Sequence, residues 1–476
     1  MERCFAKITV TVWFTACVVT AQLIAGETKN WPAFRGEKAR AVVEDDQRLP
    51  MTWSTTDNVV WKAPVEGLGW SSPIVWDDLI FLTTVASEGE TAEPRMGLYF
   101  PFGTPRSDPG LPAPKEGERM EQSADVHSWL VYAFDINTGA VVWKTEVHQG
   151  VPGFDRHLKN SYASETPVTD GHRIYAYFGN VGVFALDMTG SVVWERRVEI
   201  SSTRMGWGTA SSPVLFEDQL FVVNDNDDQS YVLALDAATG DENWRVNREE
   251  GTNWATPFVW QNQLRTELVT VGTGEVRSYA LDGSLLWNFK GLNSITIPQP
   301  FSEHGMLYVT SGYLGDEIKP VYAIRPGAFG DITLVDGQNS NDYIVWYADS
   351  AGPYHPTPLV YGDYYFTLLD RGFFTVHDAL TGEELYFTEQ QIQNNEVRRR
   401  VARGASGFTA SPWAYNGKIF VMSEDGDTYV LDTTDNFRLV GTNSLDEVAM
   451  SSPAIVRGSL FIRTRSHLWR LSDAAR

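Results

Sequence analysis

The chain contains a phrase that recurs at fixed spacing: small residues or a Thr, a Pro, an apolar run, a polar turn, and an aromatic residue eight positions after the Pro. Seven copies keep this spacing, and they start at Pro73, Pro167, Pro213, Pro300, Pro358, Pro412 and Pro453. An eighth copy starts at Pro257 and continues with a longer spacing. A period of roughly 40–50 residues is typical of a fold built from repeated small units.

A second phrase follows most of these starts and consists of Ala-x-Asp, a Thr-Gly turn and a Trp. It is complete at 133–143 and 234–244, shortened at 185–194 and 280–287, and ends in Tyr386 in the copy that begins at Asp378. Asp and Thr side chains bond to turn backbone, and Gly accepts a positive φ. The Trp that follows offers a flat surface to a neighbouring sheet.

Each repeat therefore predicts four short antiparallel strands with alternating apolar residues. One such sheet cannot bury both faces, whereas eight packed around an axis can. We predict an all-β, eight-bladed β-propeller of four-stranded antiparallel blades over residues 58–473. The eighth copy stops before a Trp strand, and Asn58–Lys62 stands alone before the first copy. We therefore expect this N-terminal strand to complete the last blade, with Trp61 beside Leu468–Leu471.

The first 26 residues have the layout of a secretory signal peptide, with Arg3 and Lys7 before an apolar run from Ile8 to Ile24. An uncleaved anchor and lipidation at Cys17 are the alternatives. We predict cleavage, no transmembrane span afterwards, and a location in the periplasm or outside the cell. Both cysteines, Cys4 and Cys17, lie in this segment, which leaves the mature chain without thiol chemistry.

Residues 27–57 form an N-terminal extension in this interpretation, and two inserts interrupt the repeat. The insert at 86–126 lies in the first blade and the insert at 327–342 lies in the fifth. Long loops in compact repeats are typically functional or disordered. Phe100–Gly103 suggests that the first insert packs over one mouth of the ring.

The chain carries 61 acidic and 38 basic residues, for a formal net charge of −23. This balance argues against nucleic acid or an anionic membrane surface as a partner.

The Ala-x-Asp-x-x-Thr-Gly-x-x-x-Trp phrase resembles the tryptophan-docking motif of pyrroloquinoline-quinone-like (PQQ-like) propellers. This group includes the quinoprotein alcohol dehydrogenases and the propeller lipoprotein of the outer-membrane β-barrel assembly machinery. The opening Trp31–Gly36 and the later Asn58–Lys62 resemble a group of exported bacterial propeller proteins. The resemblance implies the fold.

The dehydrogenases of this group hold pyrroloquinoline quinone (PQQ) between a Trp floor and a vicinal disulfide. They add a calcium ion ligated by Glu, Asn and Asp, and an Asp base. The sequence has neither a Cys-Cys pair nor a Cys-x-x-Cys-His haem site. PQQ and calcium are therefore candidate cofactors without assigned ligands, and no metal-binding or catalytic residue is predicted.

Candidate ligand-binding residues fall into two groups near one mouth of the channel. Large side chains precede the repeat prolines, and a dense polar segment joins the first two blades. The full set is Trp70, His157, Asn160, Tyr162, Arg204, Trp207, Trp254, Tyr354, His355, Arg403 and Phe408. Aromatic rings at a channel mouth can stack on a ligand. The alternatives are that the rings plug a wide channel and that the polar segment is a hydrogen-bonded loop.

These features favour an exported, non-catalytic binding or scaffold propeller that docks a protein, peptide or small ligand at one face. The expected partners are envelope or extracellular proteins, peptides or glycans, and a monomer is expected. The alternative is a divergent quinone- or metal-dependent oxidoreductase, because propellers host both classes.

Overall fold

The computed structural model describes residues 28–89, 91, 93–97, 123–385, 399–402, 404–433 and 438–473. The strands in these ranges form eight small sheets, each of which begins at one of the repeat prolines. Two single-turn 3₁₀ helices, Glu37–Ala39 and Arg204–Gly206, lie outside the sheets. The signal segment and Phe100–Gly103 lie outside the described residues. No helix within the described ranges is both long and apolar enough to cross a membrane.

The first four blades follow one another along the chain, and within each blade the strands pair in sequence order from the axis outward. The first blade contains β2 (Ile74–Trp76), β3 (Leu79–Ser87), β4 (His127–Asp135) and β5 (Val141–Gly150). The second contains β6 (Val168–Thr169), β7 (Arg173–Phe178), β8 (Gly182–Asp187) and β9 (Val192–Arg197). The third contains β10 (Val214–Phe216), β11 (Gln219–Asn224), β12 (Ser230–Asp236) and β13 (Glu242–Arg248). The fourth contains β14 (Phe258–Gln261), β15 (Thr266–Val271), β16 (Glu275–Tyr279) and β17 (Leu285–Lys290).

The remaining blades repeat this order. The fifth contains β18 (Phe301–Glu303), β19 (Met306–Thr310), β20 (Val321–Ile324) and β22 (Ile344–Ala348), with β21 (Gly330–Asp331) in the connection before β22. The sixth contains β23 (Leu359–Tyr361), β24 (Tyr364–Leu368), β25 (Phe373–Asp378) and β26 (Arg399–Arg400). The seventh contains β27 (Trp413–Tyr415), β28 (Lys418–Met422), β29 (Asp427–Asp432) and β30 (Leu439–Ser444). The eighth contains β31 (Ala454–Val456), β32 (Ser459–Arg463), β33 (His467–Leu471) and β1 (Val59–Pro64). This is the predicted all-β, eight-bladed propeller.

The last blade is closed by the N-terminal strand, as predicted. Strand β1 pairs with β33 in antiparallel register, which places Trp61 opposite Arg470 and Lys62 opposite Trp469. The Lys62 ammonium lies 4.2 Å from the centre of the Trp469 ring, a cation–π contact that ties the two strands together.

The innermost strands are joined around the axis by hydroxyl groups. The backbone amide of the residue before a repeat Pro donates to the hydroxyl of the equivalent residue in the next blade, at 2.9–3.0 Å. We call the seven hydroxyl residues in these bonds the hydroxyl ring: Ser72, Thr166, Ser212, Thr256, Thr357, Ser411 and Ser452. Each bond satisfies an amide that is buried between blades.

The outer strands are joined by the repeat tryptophans. The indole N–H of Trp194, for example, donates to the Ala237 carbonyl at 3.0 Å, and its ring covers Gly240 of the next blade. The same contact is made, at 2.8–3.0 Å, by Trp61, Trp143, Trp244 and Trp346. Tyr386, which takes the place of the Trp in the sixth blade, lies outside the described residues.

The fourth blade departs from the four-stranded pattern. Trp287 turns inward and donates to the buried Glu267 carboxylate at 2.7 Å. Strand β21, from the segment predicted as the second insert, pairs in parallel with β17 and adds a fifth strand to this sheet. The fifth blade lacks the Thr-Gly turn on which a Trp would dock, and its insert covers the exposed edge instead.

The N-terminal extension crosses the ring where the innermost strands end. Trp31 bridges to Val75 in the first blade, and Val42 bridges to Ala414 in the seventh. Arg35 lies fully buried between them and donates to the carbonyl oxygens of Thr357 and Pro358 at 3.0 and 2.7 Å. Its burial lowers the pKa of the guanidinium to about 9.

Candidate functional site

A cavity of about 210 Å³ lies on the propeller axis, where the innermost strands begin. All seven members of the hydroxyl ring line it. Phe34, from the extension that crosses the other end of the channel, lines it as well. The cavity therefore has a polar ring of hydroxyls in its wall and an aromatic side chain contributed from the far side.

The remaining wall is largely aromatic. The rings of Trp207 and Trp254 have their centres 5.8 Å apart and are tilted by 35°, which gives a continuous apolar surface. His157 meets Trp207 edge-on at 5.6 Å. Tyr354 and His355 pack together on another part of the wall, with ring centres 3.9 Å apart.

The indole nitrogens of the three cavity tryptophans differ in their partners. Trp70 donates to the Lys159 carbonyl at 2.7 Å, and Trp254 donates to the Gly208 carbonyl at 2.8 Å. The buried N–H of Trp207 has no acceptor within the described part of the chain. A buried donor without a partner costs free energy.

A buried ion pair stands at the edge of the cavity. The Lys159 ammonium lies 2.5 Å from Glu424 Oε1, and both side chains are nearly or fully buried. The Glu424 carboxylate also accepts the Thr409 hydroxyl and the Gly97 amide, each at 2.7 Å. Gly97 belongs to the described first part of the 86–126 insert, so this carboxylate holds that part at the cavity.

Two histidines, His157 and His355, line the cavity. Burial, with smaller contributions from Lys159, His355 and Arg156, lowers the pKa of His157 to about 3 and keeps its ring neutral. His355 Nδ1 lies 3.0 Å from the buried Asp370 carboxylate.

Glu165 is buried immediately beside the hydroxyl ring. Its Oε1 accepts the Thr209 hydroxyl at 2.6 Å and the Gly179 amide at 3.2 Å. Burial raises the pKa of its carboxyl group to about 7 despite these bonds. The Glu165 side chain therefore joins the second blade to the connection that leads into the third.

Seven of the candidate residues come together in the cavity. They are Trp70, His157, Asn160, Trp207, Trp254, Tyr354 and His355.

The other four candidates have different positions. Tyr162 packs beside the first blade against Phe154 and His127. Arg204 donates to the Ser294 carbonyl at 3.0 Å and is not among the residues that line the cavity. Phe408 is buried in the core cluster shared by the sixth and seventh blades. Arg403 lies outside the described residues.

Sequence reasoning did not single out Lys159, Glu424 or Phe34. Lys159 sits within the dense polar segment at 154–162, but Glu424 follows a strand about 265 positions later. The sequence contains no signal that pairs two such distant charges. The hydroxyl residues before the prolines are recognisable in the sequence as repeat markers. Their role as hydrogen-bond acceptors between blades follows only from the closed propeller.

Within the described residues, no three side chains among His, Cys, Asp and Glu are grouped so that they could hold a metal ion.

A family model described as "Outer membrane protein assembly factor BamB" matches residues 127–288 and 228–475. No curated protein matches the chain. Among solved structures, a quinohemoprotein alcohol dehydrogenase from Comamonas testosteroni is 12% identical with a TM-score of 0.57, over 94% of this chain and 81% of that one. A second such enzyme, from Pseudomonas putida HK5, is 12% identical with a TM-score of 0.53, over the same shares. BamB from Moraxella catarrhalis is 12% identical with a TM-score of 0.49, over 74% of this chain and 96% of that one. At 12% identity, the two alcohol dehydrogenase structures establish the fold alone.

Proposed function

Because the chain belongs to the family described as outer membrane protein assembly factor BamB, we propose that it is an exported binding propeller. In this proposal it docks a protein, peptide or small ligand at the face where the axial cavity opens, and it catalyses no reaction there. The expected location is the periplasm or the cell exterior. The expected partners are envelope or extracellular proteins, peptides or glycans, bound by a monomer.

One observation carries the proposal: the cavity joins an apolar aromatic wall to a ring of neutral hydroxyls. Pockets that bind ligands are mostly apolar, with a few well-placed polar groups. Trp207 and Trp254 supply the apolar surface, and the hydroxyl ring supplies the polar groups. The charged groups at its edge are already bonded to one another, which suits recognition more than proton transfer.

The experiment is capture from an envelope extract by the immobilised mature protein, with bound molecules identified by mass spectrometry. Trp207→Glu and Trp254→Glu place a charge in the apolar wall and should each abolish capture of the specific ligand. Leu264→Glu is the matched control, because Leu264 is 67% exposed and lies outside the cavity. Folding of each variant is checked by circular dichroism and thermal unfolding. A ligand that both tryptophan variants still capture contradicts the proposal.

The alternative is a divergent quinone- or metal-dependent oxidoreductase. The Trp207–Trp254 wall favours it, because a planar quinone could stack there. The polar groups fit PQQ and calcium poorly. PQQ is a polycarboxylate, and Lys159, which supplies the one ammonium among the described residues that line the cavity, is already paired with Glu424. Calcium needs about six to eight oxygen ligands, and the nearby Glu424 and Asp370 carboxylates are bonded to Lys159 and His355.

Titration of the mature protein with PQQ and calcium separates the two functions. Tryptophan fluorescence and thermal unfolding would report binding, because Trp207 and Trp254 line the cavity. A saturable change, followed by dye reduction with alcohols or sugars, would favour the oxidoreductase. No response is expected from a propeller that only docks partners.

A further inference from the structure

The hydroxyl ring offers a set of neutral donors at one level of the cavity. The hydroxyl oxygens of six members each accept a hydrogen bond from a backbone amide of the preceding blade. These six are Thr166, Ser212, Thr256, Thr357, Ser411 and Ser452. No bond donated by these hydroxyls is found within the described ranges. A Ser or Thr hydroxyl has one proton and two lone pairs. Each therefore retains a proton and a lone pair for a ligand that has many hydroxyl groups of its own.

The aromatic wall provides the other half of the recognition surface. The tilted pair of Trp207 and Trp254 presents broad ring area, with Tyr354 on another part of the same cavity. Rings of this size give large dispersion contacts to flat apolar faces, including the C–H faces of a pyranose.

Electrostatics select against an anionic ligand. The Lys159 ammonium is 2.5 Å from Glu424, and His157 is held neutral by burial. An anion would have to compete with the Glu424 carboxylate for that ammonium, at the cost of leaving a buried charge unpaired. The net charge of −23 adds long-range repulsion.

We propose that the axial cavity binds a neutral saccharide, the end of an uncharged glycan, with its C–H face on the Trp207–Trp254 wall and its hydroxyls on the hydroxyl ring. This inference rests on the binding function proposed above and names its ligand class. A peptide segment could also use the neutral donors, but it would not use a ring of six hydroxyls around one axis.

The test measures binding of the mature full-length protein to an array of uncharged glycans, matched glycans that contain uronic acid or phosphate, and PQQ. Hits are confirmed by calorimetry with the corresponding free neutral disaccharide. Uncharged glycans should bind, and the affinity should be insensitive to salt because no charge is involved. Trp207→Ala should weaken binding by at least about tenfold. Thr256→Val, which keeps the shape but removes the hydroxyl, should weaken it by about tenfold.

Two further variants keep the result interpretable. Trp207→Phe keeps an aromatic wall with a smaller ring area, and its affinity should fall between those of wild type and Trp207→Ala. Leu264→Ala should bind as wild type does, since this side chain lies outside the cavity. Binding only to acidic glycans or PQQ, no glycan binding, or binding that Trp207→Ala and Thr256→Val leave unchanged would each overturn the saccharide proposal. If a protein or peptide is still captured through Trp207, the binding function survives; if nothing is captured, both proposals fail.

Discussion

Lys159 and Glu424 form a buried ion pair at the cavity edge, although the blades that supply them are not neighbours in the ring. Lys159 lies in the connection between β5 and β6, and Glu424 follows β28 in the seventh blade. The pair therefore ties together the two sides of the cavity mouth and fixes the position of the Lys159 carbonyl, which accepts the Trp70 indole.

We expect Lys159→Met to lower the free energy of unfolding by about 3 kcal/mol, because it leaves the Glu424 carboxylate buried without its cation. In the double variant Lys159→Met, Glu424→Gln, the free energy of unfolding should fall by less than the sum of the decreases in the two single variants. Urea denaturation of all four proteins measures the coupling. Additivity within about 0.5 kcal/mol would mean that the pair contributes no specific coupling.

The docking of Trp194 on Gly240 can be separated from backbone strain by two glycine substitutions. Gly240 has φ +77°, and a Cβ there would lie 2.6 Å from the Trp194 ring. Gly337 has φ +81° and nothing within 4 Å. Gly337→Ala should cost about 1 kcal/mol through its positive φ. Gly240→Ala should cost about 1–3 kcal/mol more through displacement of the ring. Equal losses in urea denaturation would show that the ring contact adds nothing.

Glu165 should make stability fall as the pH rises through neutrality. Burial raises the pKa of its carboxyl from 4.5 to about 7, so between these values the folded chain holds a proton that the unfolded chain has lost. Glu165→Gln cannot ionise and should remove this part of the fall, worth at most about 3 kcal/mol by about pH 8. Asp225, whose pKa burial raises to about 7, acts in the same direction and leaves a residual slope.

Urea unfolding at several pH values between about 5 and 8 measures the effect of Glu165→Gln. The exposed Glu317 provides the control, since Glu317→Gln should leave the pH profile unchanged. Parallel profiles for wild type and Glu165→Gln would contradict the assignment.

The hydroxyl ring predicts a difference between two substitutions at Thr166. Thr166→Val removes the acceptor of the Ser72 amide, a 2.9 Å bond, and should cost about 1–2 kcal/mol. Thr166→Ser keeps that acceptor and should cost less. Hydrogen exchange of the Ser72 amide should accelerate in the valine variant alone. Equal exchange in both variants would mean that the amide is protected by other contacts.

The repeat phrases allowed the propeller, its blade count and its closing strand to be predicted, because each phrase encodes contacts within one blade or with the next. Trp61 was recognisable as a repeat Trp from its own strand, although the other strands of its blade lie at the opposite end of the chain. Trp287 broke the pattern because it donates to Glu267 within its own blade, while its strand pairs with the insert of the following blade, which has no repeat signature.

The cavity was only partly predictable, for a related reason. Large residues before the repeat prolines, such as Trp207 and Trp254, follow the repeat and reach the axis. Phe408 occupies a similar sequence position but turns between two blades, where it packs on Gly372. Side-chain direction at these positions depends on the neighbouring blade, and the pairing of Lys159 with Glu424 depends on the closed ring.

The pairing of β1 with β33 has a consequence for the order of folding. The two strands lie at opposite ends of the sequence, so the seam that joins Trp61 to Arg470 closes over nearly the whole length of the propeller. Contacts of such long range form late, because the intervening chain must first be ordered. Until that step, β1 and β33 each present an unpaired edge that can recruit another chain. Before this seam forms, the chain is an open arc that is prone to aggregation. Once it forms, β1 and β33 cover each other's unpaired edges and the ring is closed.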